Sequence, residues 1–181
     1  MASKRKKIDK LVVLQLTDAI LNPTETKDDY CNFIEALEGY GLICDELIIR
    51  LIINSAGGDP TRALSIYDAI HRLGLHVETI VQGEAASAAV FVMLAGEKRL
   101  ITEYSSIMIH RPKSFLSSDL GLNADEFHLF GNGLDKAEEM FVKLISEKTG
   151  QDEDKVWQDL YKGKRFSAQE ALEYGLVHEI V

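Results

Sequence analysis

Apolar runs of strand length alternate along the chain with segments whose apolar residues recur at helical spacing. Leu11–Leu16 is such a run. Thr24 is placed to cap a helix in which Tyr30, Phe33, Ile34, Leu37 and Gly41 share one face, with Gly39 and Gly41 breaking it. The β-branched run Leu47–Ile53 predicts a strand buried on both faces, the kind found in parallel sheets, and it ends in the turn Asn54–Gly58. Asp59-Pro60 opens the next helix, a capping side chain followed by proline at the first helical position. Ala63, Ile66, Tyr67 and Ile70 form its apolar face, and Gly74 stops it. Leu75–Val81 predicts another strand, ending at Gly83. Ala85–Ala95, small and apolar all round, predicts a buried helix. Short strands follow around Arg99–Ile101 and Ser106–Ile109. This alternation predicts an α/β fold with a mostly parallel sheet and right-handed crossovers.

The second half departs from that rhythm. Phe127, Phe130, Leu134, Ala137, Phe141 and Leu144 alternate by three and four residues, a heptad-like seam on a helix of about 25 residues. A narrow apolar seam on so long a helix suits packing against another helix. The spacing alone leaves open whether that helix is in the same chain or another. A short helix near Lys155–Tyr161 comes next. Ser167-Ala168-Gln169-Glu170 is a capping box opening a last helix that Gly175 closes, and Leu176–Val181 predicts a final strand. No linker, repeat or composition break divides the chain. It therefore reads as one domain over 11–181, preceded by a flexible basic segment, 1–10.

Composition narrows the class. The chain has 181 residues, 46% hydrophobic and 27% charged, which is ordinary globular usage and excludes a disordered or fibrous protein. The longest apolar stretches fall well short of the ~20 residues that span a bilayer. No apolar run follows the basic start, so a secretory signal is not expected and the location expected is cytoplasmic. Net charge is −9, but the first ten residues carry +4 and the remainder −13. An acidic body argues against nucleic acid as the partner. Cys31 and Cys44 show no metal spacing and are read as reduced and structural; no metal site is expected.

Two turns that follow strands and lead into helices carry the candidate chemistry, Asn54–Gly58 and Gly83–Ala88. Both belong at the carboxyl edge of the sheet, where open α/β folds bind ligands. Unpaired N–H groups at such turns hold phosphate or the oxyanion of an acyl-transfer intermediate. No Walker or Gly-x-Gly-x-x-Gly pattern is present, which makes a nucleotide the weaker guess. Ser87, flanked by alanines, is either a packing residue or a nucleophile, and a nucleophile needs a base. His110 ends the strand Ser106–Ile109 and precedes Arg111-Pro112, so it is expected on the same edge. His71, His76, His128 and His178 are expected to be structural or exposed.

Five segments in register, Ile53–Gly58, Ser65–Asp68, Gly83–Ser87, Ile107–Pro112 and Phe166–Val177, resemble the ClpP family of serine peptidases. The resemblance runs from about Leu11 to Val181. It implies the ClpP/crotonase-like fold of repeated β-β-α units, with the long helix as a protruding handle by which two seven-membered rings stack into a tetradecamer. By position, Ser87 resembles the nucleophile and His110 the general base. The N–H groups of Gly58 and Ala88 resemble the oxyanion hole. Implied with them are a homo-oligomeric serine endopeptidase needing no cofactor, peptide or unfolded-protein substrates, and a separate AAA+ unfoldase partner. The basic segment 1–10 falls where relatives carry axial pore loops.

Three positions depart from the family pattern. Ala56 replaces a proline, and Ala89 replaces a glycine. The family's triad aspartate, four residues before the Ser-Ala of the last helix, falls on Gly163, between Lys162 and Lys164. Three readings follow from that gap: another carboxylate, Asp159 first, supports His110; Ser87 and His110 act as a dyad; or the subunit is inactive and structural in a mixed ring. An acyl-CoA enzyme of the crotonase class would share the paired N–H groups, but the Ser87–His110 pair argues against it, as it does against a Ser–Lys membrane peptidase.

Overall fold

A computed structural model describes residues 11–22, 27–41, 47–111 and 124–181, with backbone alone for 19, 27, 28 and 124–134. The chain begins with β1 (Leu11–Leu16), α1 (Asp18–Leu21), α2 (Lys27–Gly41), β2 (Ile48–Ser55) and α3 (Pro60–Arg72). β3 (His76–Ala86), α4 (Ala89–Leu94), β4 (Lys98–Ile101) and β5 (Ser106–Met108) follow. The last part is α5 (Ala124–Thr149), α6 (Glu153–Lys162), β6 (Arg165–Ser167), α7 (Ala168–Tyr174) and β7 (Glu179–Ile180). The basic segment 1–10, Thr24 and Cys44 lie outside the described residues.

Strands β1, β2, β3, β4 and β7 lie in that order, every neighbouring pair parallel. This is the α/β architecture with a parallel sheet that the strand–helix alternation predicts. Beyond the end of β4, β3 continues and pairs with β5, and β5 carries the antiparallel β6. The sheet thus turns outward at its carboxyl edge into a small extension, which is where the chemistry sits.

The local signals operate as read at several ends. Asp59 caps α3 by accepting from the Thr61 N–H at 2.7 Å. Ser167 and Glu170 form the reciprocal capping box of α7, and Gly175 ends it in the left-handed conformation. Ala63, Ile66 and Ile70 are buried on the inner face of α3. They belong to the same buried cluster as Ile49, Leu51 and Ile53 of β2, each 1% exposed or less. Full burial of such a side chain contributes about 1.5–3 kcal/mol.

Three expectations are corrected, and one strand is added. β2 is not buried on both faces: Ile48 is exposed, and Arg50 on that face is half-buried in an ion pair with Glu78 at 2.8 Å. It lies next to β1, the first strand of the sheet order. The predicted buried helix Ala85–Ala95 is shorter: Ala85 and Ala86 stay in β3, because Ala85↔Ile107 and Ala86↔Met108 pair with β5. Extended pairing outweighs alanine's helix propensity there. Strand β6 had no sequence signal of its own, and the final strand is only Glu179–Ile180.

Helix α5 has the length predicted for it. Its later turns pack inward: Phe141, Val142 and Ile145 are buried, and the Phe91 and Phe141 rings lie 4.4 Å apart. The seam positions Phe127, Phe130 and Leu134 are outside the described side chains.

Candidate active site

Ser87 stands at a two-residue corner between β3 and α4. Its φ is 53°, the one positive value among non-glycine residues described. A non-glycine residue held there costs on the order of 1–3 kcal/mol, and such strain marks functional turns, as in other strand–nucleophile–helix corners. The corner is fastened on both sides. The Ser87 N–H donates to the Met108 carbonyl at 2.9 Å, and the Ser87 carbonyl accepts from the Val90 N–H at 3.1 Å. All six residues of α4 are buried, so the corner rests on a fixed base.

The turn after β2 lies directly against this corner. A Cβ on Gly57 would stand 2.7 Å from the Ala86 carbonyl oxygen, 2.8 Å from Ser87 Cβ and 3.0 Å from the Ala88 nitrogen. Only glycine fits, at a φ of +105°. A Cβ on Gly58 would collide with the Leu21 carbonyl. α1 holds this turn at both ends. Asp18 Oδ1 accepts from Ser55 Oγ at 2.8 Å and from the Ala56 N–H at 2.7 Å, and Ser55 Oγ accepts from the Gly57 N–H at 3.1 Å. The Asp59 N–H donates to the Leu21 carbonyl at 2.7 Å. Among the described residues, neither the Gly58 nor the Ala88 N–H donates to a protein acceptor. Two free donors beside a strained serine are the elements of an oxyanion site.

His110 follows β5 by two residues. Ala86 is paired with Met108, and the Ile109 N–H donates to the Lys164 carbonyl at 3.0 Å, so His110 emerges beside the Ser87 corner. It is half-buried, and its Nδ1 lies 2.6 Å from the Arg111 carbonyl oxygen. No Ser87–His110 hydrogen bond is formed among the described residues. Such contacts commonly tighten only with substrate bound.

Asp159 is placed differently from the expectation that it supports His110. It lies on α6, 8% exposed, and its carboxylate accepts from Lys164 Nζ at 3.3 Å. The other group beside it is the Tyr174 hydroxyl, which has no hydrogen-bond partner among the described residues. Burial first, and the Asp159 carboxylate second, push the tyrosine's pKa upward. The Asp159 main-chain carbonyl also accepts from the Lys164 N–H at 3.0 Å, so Asp159 shapes the turn that ends α6. That turn contains Gly163, at a φ of 67°. A Cβ on Gly163 would lie 3.8 Å from His110 Cβ. The position where the resemblance would place a triad aspartate therefore lies beside His110, and here it carries no side chain.

The other histidines have separate employment. His71 Nδ1 lies 2.8 Å from the Tyr67 carbonyl, His76 pairs with Glu97 at 3.2 Å, and His178 Nδ1 accepts from the Arg99 N–H at 3.1 Å. The His128 side chain is outside the described ones. Among the described residues no group of three His, Cys, Asp or Glu side chains could hold a metal, and no helix is long and apolar enough to cross a membrane.

Sequence reading missed Asp18, whose contacts with Ser55 and Ala56 join residues 37 and 38 positions apart. It also missed Glu138, which accepts from Arg111 Nε at 2.7 Å. No local pattern distinguishes either from a surface carboxylate.

A family model for Clp protease matches residues 42–181, the stretch that carries β2 through β7 and with them Gly58, Ser87, Ala88, His110, Asp159 and Gly163. Set on this sheet, with its corner serine and neighbouring histidine, that match shows that the chain belongs to the Clp protease family.

Proposed function

We propose that the chain is a serine endopeptidase subunit, with Ser87 as nucleophile and His110 as general base. The observation that carries this reading is the Ser87 corner: a positive φ on a serine, seated against Gly57, beside two N–H groups without acceptors among the described residues, and tied through Met108 to the strand that delivers His110. In the proposed reaction His110 Nε2 takes the Ser87 proton as Oγ attacks the peptide carbonyl. The oxyanion forms against the Gly58 and Ala88 N–H groups. The imidazolium then protonates the departing amine, and water hydrolyses the acyl-enzyme by the reverse sequence.

The assembled form proposed is a chamber of stacked rings joined through α5, homomeric or mixed with a related subunit. A separate ATP-driven unfoldase would deliver unfolded chains, and the location proposed is cytoplasmic. The length of α5 and its heptad-like seam support the ring contact. A second reading, a catalytically weak or inactive structural subunit, is favoured by one observation: Gly163 faces His110 without a carboxylate. A serine-directed fluorophosphonate probe decides between them. Labelling of Ser87, located by peptide mass spectrometry in the assembled protein, is expected. No labelling, with an active Clp peptidase labelled in parallel, overturns the peptidase reading.

A further inference from the structure

Resting on the peptidase reading, we infer that the third member of the catalytic group is the main-chain carbonyl of Arg111, and that Glu138 on α5 is the positioning residue that holds it. A carbonyl oxygen can only accept a hydrogen bond. At 2.6 Å from it, Nδ1 of His110 must therefore carry the proton. Nε2 is left with its lone pair, which is the tautomer a base for Ser87 needs. When His110 takes the serine proton, the Nδ1–H still has its acceptor. An aspartate normally fixes this tautomer and adds a full negative charge. Here the carbonyl fixes the tautomer and offers a dipole in place of the charge.

A carbonyl on a chain segment orients a ring only if the segment is held. Arg111 is held through its own side chain. Its Nε donates to Glu138 Oε1 at 2.7 Å, and its guanidinium lies 5.1 Å from the centre of the Tyr161 ring of α6. The Glu138 side chain is only 5% exposed while that of Arg111 is 44% exposed, so the anchor is the buried carboxylate of the long helix. The hydrogen bond to Glu138, and after it the Glu138 charge, raises the Arg111 pKa further above its ordinary value. α5 and α6 thus grip the residue whose carbonyl aims the histidine. Gly163 leaves the facing position open, where a carboxylate could take over the same proton.

The test uses the full-length assembled protein and a short fluorogenic peptide. Glu138→Ala frees Arg111, and kcat is expected to fall roughly 10²-fold with KM little changed, since an Å-scale misplacement of a catalytic group costs about that much. Glu138→Gln keeps an acceptor oxygen without charge and is expected to fall about tenfold, serving where Glu138→Ala does not fold. The decisive arm adds Gly163→Asp to each. A carboxylate beside His110 makes the Arg111 carbonyl dispensable, so activity is expected to recover at least ~10-fold, as a purely structural defect would not. A folded Glu138→Ala protein with unaltered kcat overturns the inference, and so does a loss that Gly163→Asp fails to restore. If Ser87 of the unaltered protein reacts with the fluorophosphonate but the folded Glu138 variants lose no activity, the carbonyl role alone is overturned. Failure of Ser87 in the unaltered protein to react overturns the peptidase reading itself.

Discussion

Replacing Asp18 tests whether α1 governs chemistry carried out on other elements. Asp18 Oδ1 receives two hydrogen bonds, from Ser55 Oγ and the Ala56 N–H, and Ser55 passes the restraint on to the Gly57 N–H. Asp18→Ala removes the one acceptor oxygen that serves both donors. Hydrogen bonds to a charged group contribute ~1.5–3 kcal/mol each when buried, but Asp18 is exposed and water replaces part of the loss, so the net cost is about 1–2 kcal/mol. At ~2–4 °C per kcal/mol for a domain of this size, Tm falls by roughly 4 °C at fixed protein concentration. The effect on rate is expected to be larger. The freed turn carries the Gly58 N–H, and complete loss of one oxyanion donor costs ~10²–10³ in kcat. Partial displacement predicts a fall of about 10–10²-fold, in kcat and not KM, because the donor meets negative charge only in the transition state. Asp18→Asn retains Oδ1 as an acceptor for both donors and is expected to lose no more than about fivefold. Peptide hydrolysis and fluorophosphonate labelling rates measure the effect, with thermal unfolding as the control. A folded Asp18→Ala protein whose kcat stays within about threefold of the parent would refute the argument that α1 positions the donor.

Three further outcomes follow from the same geometry. Ser87→Gly and Ser87→Ala should both abolish labelling, yet Ser87→Gly should unfold about 2–4 °C higher, since the φ of 53° costs a Cβ-bearing residue on the order of 1 kcal/mol that glycine avoids; equal Tm values would show that the corner relaxes. Gly57→Ala places a Cβ against the Ala86 carbonyl and Ser87, so Tm should drop by roughly 2–12 °C, equivalent to about 1–3 kcal/mol of overpacking, and labelling should be lost; a stable, reactive variant would contradict the close approach. Burial first, then the charges of Arg99 and Lys98, lowers the pKa of His178 from 6.5, while the unfolded chain keeps the ordinary value. The unfolded state therefore binds the extra proton. The stability this neutral histidine contributes is full above about pH 6.5 and is lost as pH falls from there through the lowered native value. Thermal scans should show the decline as pH falls below about 6.5, and His178→Asn, whose Oδ1 can still accept from the Arg99 N–H, should flatten it; an unchanged slope would assign the decline to other groups.

Much of the scaffold was legible because its signals are local. A capping aspartate before proline starts α3, a Ser–Glu box starts α7, and the apolar spacing of Ala63, Ile66 and Ile70 orients α3, all within one or two turns of chain. Ser87 and His110 were also legible as candidates, from the company each keeps in sequence and from the strand ends they occupy. Ala85 and Ala86 show where local reading stops. Their composition favours helix, and only the partner strand β5, some twenty residues on, makes them extended and sets Ser87 at a corner instead of inside a helix.

By itself, then, the sequence determined the alternating α/β order, the ends of α3 and α7, the family resemblance and the gap at Gly163, because propensity, capping and periodicity act over a few residues. The tertiary structure decided what no local pattern encodes. It gave Asp159 to Lys164, put Gly163 beside His110, set the Arg111 carbonyl on Nδ1, and tied the oxyanion turn to Asp18. Hydrogen bonds, ion pairs and close packing depend on distance in space, and only the folded sheet brings those distant parts of the chain within 4 Å of one another.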